Sequence, residues 1–225
     1  MKKLLSPLLA LLVTFVTPLL ISGGALAQDA KGDAKVGERK IAMCIGCHGI
    51  AGYQASFPEV YKVPKISGQG AKYIVSALNA YKQGERKHPT MRGIADSLSD
   101  QDMADVAAYY SVHGVEAGAA APEKAAEATG KAADLVKKGA CVTCHGDNFS
   151  KPLDPSYPKI AGQHADYLFV ALKSYKVVGN PQVGRSNGVM AGIAKQFTNA
   201  EMKEMAAYIS KLPGELKVVR QDSFK

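Results

Sequence analysis

Apolar side chains recur at helical spacing in four places along the chain. Each set falls at positions i, i+3, i+4 and i+7, which places its members on one face of a helix. The sets are Ile74, Ala77, Leu78 and Tyr81; Met103, Val106, Ala107 and Tyr110; Leu168, Ala171, Leu172 and Tyr175; and Met202, Met205, Ala206 and Ile209. No alternating pattern of useful length indicates a strand. The sequence therefore predicts an all-α protein.

Local signals set the boundaries of several of these helices. Two capping boxes are predicted, formed by Ser99 with Asp102 and by Thr198 with Glu201. Two further helices are expected to begin at about Ala34 and about Lys131, each leading into a cysteine motif.

The chain contains an internal repeat. CIGCHG at 44–49 returns as CVTCHG at 141–146, PKISGQGAKY at 64–73 as PKIAGQHADY at 158–167, and MRGIA at 91–95 as MAGIA at 190–194. The order is the same, and the offsets of 97, 94 and 99 residues drift only slightly. The repeat predicts two similar domains, over residues 28–114 and 131–225, joined by an Ala- and Gly-rich linker at 115–130.

The first 27 residues have the pattern of a secretory signal peptide. A positive MKK start precedes a long apolar run, and Ala25 and Ala27 fit a cleavage site before Gln28. Retention of the run as a membrane anchor is the alternative. Export to the periplasm is the expected destination. The formal net charge of +8 is dispersed in short basic runs, which argues against a nucleic-acid-binding surface.

Each repeat carries a C-x-x-C-H motif, the spacing that attaches haem c. Two thiols three positions apart on one helical turn can each add to a haem vinyl group, and the following histidine can bind the iron. The motif residues are Cys44, Cys47 and His48 in the first repeat, and Cys141, Cys144 and His145 in the second. Two covalently bound haem c groups are therefore predicted. They would also support domains that are small for a self-sufficient core.

Three other uses of the cysteines are less well supported by the sequence. A four-cysteine zinc site would need a much longer gap between its pairs than is usual. Redox disulfides lack an accompanying thioredoxin-like βαβ pattern. Simple structural disulfides do not explain a histidine after both pairs.

The sixth position of each iron needs a second ligand if the haems are to transfer electrons. Met91 and Met190 lie 43 and 45 residues after their motif histidines, at equivalent places in the two repeats. A thioether sulfur is a soft ligand that suits haem iron. His88 is a rival ligand for the first iron, but Asn187 stands at its aligned position. Recurrence therefore favours the methionines.

Prolines are expected to shape the surroundings of these ligands. Pro89 blocks a continuous helix, so a non-helical stretch is expected to bring Met91 to the iron. The carbonyls near Pro64 and Pro158 are expected to accept the second N–H of each motif histidine and so fix its orientation.

These motifs together resemble the dihaem cytochrome c4 family over nearly the whole mature chain. The resemblance implies two tandem class I cytochrome c domains related by pseudo-two-fold symmetry, with the haem propionates near the domain interface. It implies covalent haem attachment at four cysteines and axial ligation by two His/Met pairs. The attachment residues are Cys44, Cys47, Cys141 and Cys144, and the axial ligands are His48, Met91, His145 and Met190.

The resemblance also implies a function in periplasmic electron transfer, often at the membrane surface. Electrons would pass from a donor such as a cytochrome bc1-type complex to a terminal oxidase or another acceptor. His/Met ligation leaves no place for a substrate, so a carrier rather than an enzyme is expected. The alternative is the electron-accepting subunit of a dehydrogenase, such as a flavocytochrome c that oxidises sulfide. A peroxidase-type or ligand-binding haem protein would need an open iron position.

Overall fold

The computed structural model describes residues 31–116 and 130–220. The predicted signal peptide at 1–27 and most of the predicted linker lie outside these residues. The proposed domain boundaries therefore remain predictions.

The first repeat contains five helices and three two-residue strands. They are α1 (Ala34–Glu38), α2 (Ala42–His48), β1 (Gln54–Ala55), β2 (Tyr61–Lys62), α3 (Ala71–Lys82), β3 (Arg86–Lys87), α4 (Pro89–Asp96) and α5 (Asp100–Val112). β1 and β2 form an antiparallel hairpin after the first cysteine motif.

The second repeat has the same order of helices. Its elements are α6 (Lys131–Lys138), α7 (Cys141–His145), α8 (Ala165–Ser174), β4 (Gly184–Arg185), α9 (Gly188–Ala194) and α10 (Asn199–Lys211). The all-α prediction is confirmed, since each strand is only two residues long. None of the helices in the described ranges is both long and apolar enough to cross a membrane.

Each repeat has its own core, built from the predicted helical stripes. Met103, Ala107 and Tyr110 on α5 are buried against Ile74 and Leu78 of α3 in the first core. The second core repeats this arrangement with apolar residues of α10 and α8, among them Met202, Met205, Ala206, Ile209 and Leu168. Both predicted capping boxes are present at the starts of α5 and α10. The helices predicted near residues 34 and 131 begin at those residues.

The helix that precedes the cysteine motif packs differently in the two repeats. In the first repeat, α1 crosses α5 so closely that a Cβ on Gly37 would lie 2.1 Å from the carbonyl oxygen of Asp105. Lys40 follows this crossing and forms ion pairs with Asp102 and Asp105 at 2.6 and 2.7 Å. In the second repeat Asp134 stands at the position of Gly37, so α6 cannot approach α10 in the same way.

The two repeats pack against each other through paired contacts. β3 of the first repeat and β4 of the second form an antiparallel pair, with Arg86 opposite Arg185. The Lys65 ammonium donates to the Gly162 carbonyl at 2.7 Å, and Lys159 donates to the equivalent Gly68 carbonyl at 2.9 Å. This reciprocity is what a pseudo-two-fold relation between the domains produces.

Candidate haem-binding sites

The two cysteines of each motif lie on one short helix, and the first of them packs beside a core. Cys44 packs against the core of the first repeat and Cys141 against that of the second. Burial raises the pKa of each of these thiols to about 11, so both are neutral at neutral pH. Cys44, Cys47, Cys141 and Cys144 are all unpaired.

Each motif histidine ends its helix and turns back toward a proline carbonyl. His48 Nδ1 lies 2.7 Å from the carbonyl oxygen of Pro64, and His145 Nδ1 lies 3.0 Å from that of Pro158. A carbonyl oxygen can only accept, so Nδ1 carries the proton and Nε2 is left as the metal-binding nitrogen. Burial lowers the pKa of both imidazoles, which keeps them in the neutral form that binds a metal. The expected proline acceptors are confirmed.

Met91 and Met190 occupy the same place in the first turn of a helix. The side chain of His88 caps α4 by accepting from the Met91 amide at 3.4 Å, and Asn187 caps α9 by accepting from the Met190 amide at 3.0 Å. Met91 is partly buried against the same core as Cys44. The expectation of a non-helical approach to Met91 was wrong: Pro89 is the first residue of α4. Its missing N–H costs nothing there, and its fixed φ suits a helix start.

A four-cysteine zinc site is not assembled in the part of the chain that the structure describes. No group of three or more His, Cys, Asp or Glu side chains in those ranges could hold a metal ion. Cys44 instead packs against the core of the first repeat, and Cys141 against that of the second.

Two arginine side chains, one from each repeat, share a tyrosine in the interface. Arg86 donates to the hydroxyl of Tyr73 at 2.9 Å and to that of Tyr167 at 2.7 Å. Arg185 donates to the same Tyr167 hydroxyl at 3.2 Å. Burial alone would raise the pKa of Tyr167, but the two guanidiniums outweigh it and hold that pKa at about 8.

These guanidiniums fit a group that carries carboxylates. Within residues 31–116 and 130–220, neither forms an ion pair with an Asp or Glu side chain. Arg86 Nε is buried without a hydrogen-bond partner. Buried cations and donors without a partner are costly, and the propionate carboxylates of haem would supply the missing charge and acceptors. The residues present therefore fit the cofactor that the motifs predict.

Sequence reasoning missed these arginines although the repeat carries a signal for them. Arg86 stands five residues before Met91, and Arg185 stands five residues before Met190. The pattern R-x-[HN]-x-x-M thus recurs as a unit that contains a buried cation, a helix cap and a candidate ligand.

Known proteins resemble the chain in both sequence and structure. The family described as Cytochrome c matches residues 34–111 and 129–213, one match to each repeat. A cytochrome c4 of Azotobacter vinelandii is 34% identical over 215 residues, covering 89% of this chain and 98% of that protein. A thiosulfate dehydrogenase electron acceptor of Stutzerimonas stutzeri is 31% identical over 205 residues, covering 87% and 91%.

A solved structure supports the same relation. The crystal structure of reduced recombinant cytochrome c4 from Pseudomonas stutzeri superposes with a TM-score of 0.58 at 30% identity, covering 81% of this chain and all of that one. The match extends over both domains of the fold described above.

Proposed function

The chain belongs to the cytochrome c4 family of dihaem electron-transfer proteins, and on this premise we propose which residues carry its electrons and between which partners. The observation that carries the proposal is the repeated site geometry. In each repeat a motif histidine is held by a proline carbonyl through Nδ1, and a methionine follows in the first turn of a capped helix. Two matched sites of this kind support two one-electron centres in one chain.

The cysteine pairs are the residues we propose for covalent attachment. They are Cys44 with Cys47 and Cys141 with Cys144. His48 and His145 would bind the irons through Nε2, because Nδ1 of each is committed to a proline carbonyl. That bond fixes the tautomer and the ring orientation, and it increases the basicity of the ligand.

Met91 and Met190 are the second axial ligands that we propose. Each lies in the first turn of its helix, and the capping side chain accepts a hydrogen bond from the backbone amide of the methionine. The position of the helix start therefore determines where the sulfur can reach. A methionine ligand would raise the reduction potential of the iron. Arg86, Arg185 and Tyr167 would hold the carboxylates of bound haem in the interface. The haems, when bound, supply one-electron oxidation and reduction at iron.

The partners of this protein are redox proteins. We propose that it works in the periplasm, accepting electrons from a cytochrome bc1-type complex and passing them to a terminal oxidase, with peripheral association at the membrane surface. Docking of this kind is transient and guided by charge.

Removal of each axial methionine tests the ligand assignment. The purified protein should carry the mass of two haems, and its ferric form should show a far-red sulfur-to-iron absorption band. Met91→Ala and Met190→Ala should each remove about half of that band, because each leaves one Fe–S bond intact. The double variant should remove all of it.

Met43→Ala is the matched control, since Met43 adjoins the first motif but is 52% exposed. It should leave the band unchanged. An unchanged band in Met91→Ala would refute that assignment. If the low-spin spectrum of the first haem were then lost in His88→Ala, the assignment would pass to His88. Absence of haem from the mature protein would refute the proposal as a whole.

A second candidate function is that of an electron acceptor for a dehydrogenase. The observation that favours it is the 31% identity to a protein named as a thiosulfate dehydrogenase electron acceptor. A sulfide-oxidising flavoprotein is the other candidate dehydrogenase. Stopped-flow reduction of the purified protein by each dehydrogenase, and by a bc1-type complex, separates these functions. The physiological donor should reduce it fastest, and inertness toward the bc1-type complex would favour the dehydrogenase.

A further inference from the structure

The peptide group that orients each motif histidine is also bonded to the other domain. The carbonyl of the Pro64–Lys65 peptide accepts from His48 Nδ1 at 2.7 Å. The N–H of the same peptide, contributed by Lys65, donates to Oε1 of Gln163 in the second domain at 3.0 Å. A continuous hydrogen-bonded path therefore runs from the first imidazole, through one peptide unit, to a side chain of the opposite domain.

The second domain has the same arrangement in reverse. The carbonyl of the Pro158–Lys159 peptide accepts from His145 Nδ1 at 3.0 Å. The Lys159 N–H of that peptide donates to Oε1 of Gln69 in the first domain at 2.9 Å. Both glutamines belong to the repeated P-K-I-x-G-Q segment. In each domain this segment supplies the peptide that bonds to its own histidine, and also the glutamine, here called the clamp, that bonds to the equivalent peptide of the other domain.

Each glutamine holds its partner at two points. Gln163 Nε2 also donates to the Lys65 carbonyl at 2.9 Å, and Gln69 Nε2 donates to the Lys159 carbonyl at 2.9 Å. Gln69 is 3% exposed and Gln163 is 4% exposed. A buried amide with both ends bonded has one available orientation. The glutamines therefore fix the position and tilt of the two peptides.

The preceding glycine allows this placement. Gly68 and Gly162 have φ values of +82° and +70°, a left-handed conformation that glycine adopts at little cost. The turn at each glycine leads directly into the glutamine that contacts the other domain.

We propose that Gln163 is a positioning residue for His48, and Gln69 for His145, so that each domain tunes the axial histidine of the other. This inference rests on the proposed ligation of iron by the two histidines. An acceptor on a peptide N–H polarises that peptide and strengthens its carbonyl as an acceptor. A stronger bond at Nδ1 makes the imidazole a stronger electron donor to iron. The oxidised iron is thereby favoured, and the potential is lowered.

Near-isosteric replacement of one glutamine tests whether each domain tunes the axial histidine of the other. Gln163→Met should raise the midpoint potential of the first haem and leave that of the second unchanged, while Gln69→Met should do the reverse. Each potential can be read separately from the sulfur band. In a Met190→Ala background the remaining band reports the first haem, and in a Met91→Ala background it reports the second.

The NMR shift of the Nδ1 proton distinguishes a change in the hydrogen bond of one histidine from a general loosening of the interface. The Nδ1 proton of His48 should shift in the NMR spectrum of Gln163→Met, and that of His145 should stay in place. Gln163→Asn is a milder variant that keeps an amide but withdraws it by one methylene. It should give a smaller change of the same sign at the same haem.

The matched control removes another cross-domain contact. The Asp166 carboxylate accepts from the Lys62 amide at 3.0 Å and from the Lys62 ammonium at 3.2 Å, but it does not touch a peptide that holds a motif histidine. Asp166→Ala should leave the two Nδ1 protons in place.

Three outcomes would overturn the proposal: Gln163→Met shifts both potentials equally, shifts only the potential of the second haem, or shifts neither. These results are distinguishable from a failure of the proposed function, which would appear in the wild-type protein as missing haem or a missing sulfur band.

Discussion

At the scale of single residues, the same position serves the same purpose with different chemistry in the two repeats. His88 and Asn187 both cap the helix that carries the candidate methionine ligand. A ring nitrogen and an amide oxygen can each accept a backbone N–H, so the two side chains are equivalent in this role. The sequence made His88 a rival ligand because a histidine beside a methionine has metal-binding chemistry. In the structure, His88 Nδ1 instead accepts a hydrogen bond from the Met91 amide and caps α4.

Substitution of His88 tests the capping role. His88→Ala should lower the free energy of unfolding by about 0.5–2 kcal/mol, because the Met91 amide loses its side-chain acceptor. His88→Asn should preserve stability, since asparagine is among the preferred N-cap residues and already serves at position 187. Denaturant titration measures both changes.

The absorption spectrum provides the complementary reading for His88. The sulfur-to-iron band should persist in both His88 variants, because a cap holds the helix start without touching iron. Stability in His88→Ala equal to that of the wild type would contradict the capping role.

At the scale of elements, close helix crossing distinguishes the two domains. α1 approaches α5 at Gly37, where the backbone of the partner helix occupies the space of a side chain. Lys40 then joins α5 through Asp105, a carboxylate that is 3% exposed. Burial alone would raise the pKa of Asp105, but the bonds from Lys40, the Asp33 amide and Gln101 hold it below its usual value. The second domain has no glycine within α6 and relies on apolar contacts.

An alanine at the crossing tests this packing. Gly37→Ala should destabilise the first domain by roughly 1–3 kcal/mol, because a Cβ at 2.1 Å from the Asp105 carbonyl oxygen forces the helices apart. Val112→Ala is the matched control in a helix of the same domain. The Val112 side chain is 61% exposed, so its removal should change stability by less than about 0.5 kcal/mol. Thermal unfolding of the haem-loaded protein measures both; equal effects would contradict the close crossing.

At the scale of the whole molecule, the domains are joined by buried amide bonds more than by ion pairs. The Gln69 and Gln163 clamps are almost fully buried, whereas the Lys173–Glu59 pair that also joins the domains is about one third exposed. The end of the second repeat adds a further connection. The Lys217 amide donates to the Ser67 carbonyl at 3.0 Å, so the segment after α10 lies along the first domain.

These two kinds of contact should contribute unequally to stability. Gln69→Met should cost about 1–3 kcal/mol, because it leaves the partly buried N–H and carbonyl of Lys159 without their side-chain partners. Glu59→Gln should cost less than about 1 kcal/mol, as exposed ion pairs do. Denaturant unfolding followed by haem absorbance compares them. A larger loss in Glu59→Gln would reverse this ranking.

Much of the fold could be predicted because its signals are local. The stripe Met103, Val106, Ala107 and Tyr110 became the buried face of α5, and both capping boxes formed where the sequence placed them. The proline acceptors for His48 and His145 were predictable because the chain must return past each motif. The prediction of a non-helical stretch at Pro89 was wrong, because a proline can occupy the first position of a helix as well as end one.

The sequence by itself determined the helices, the repeat and the chemistry of each cysteine motif, because these depend on residues a few positions apart and on a pattern written twice. Only the tertiary structure decided how the two domains meet. Gln69 reaches a carbonyl 90 residues away, and Arg86 shares Tyr167 with Arg185 across the interface. Such contacts form when two surfaces fit together, and a hydrogen bond between distant residues leaves no periodicity in the chain from which it could be read.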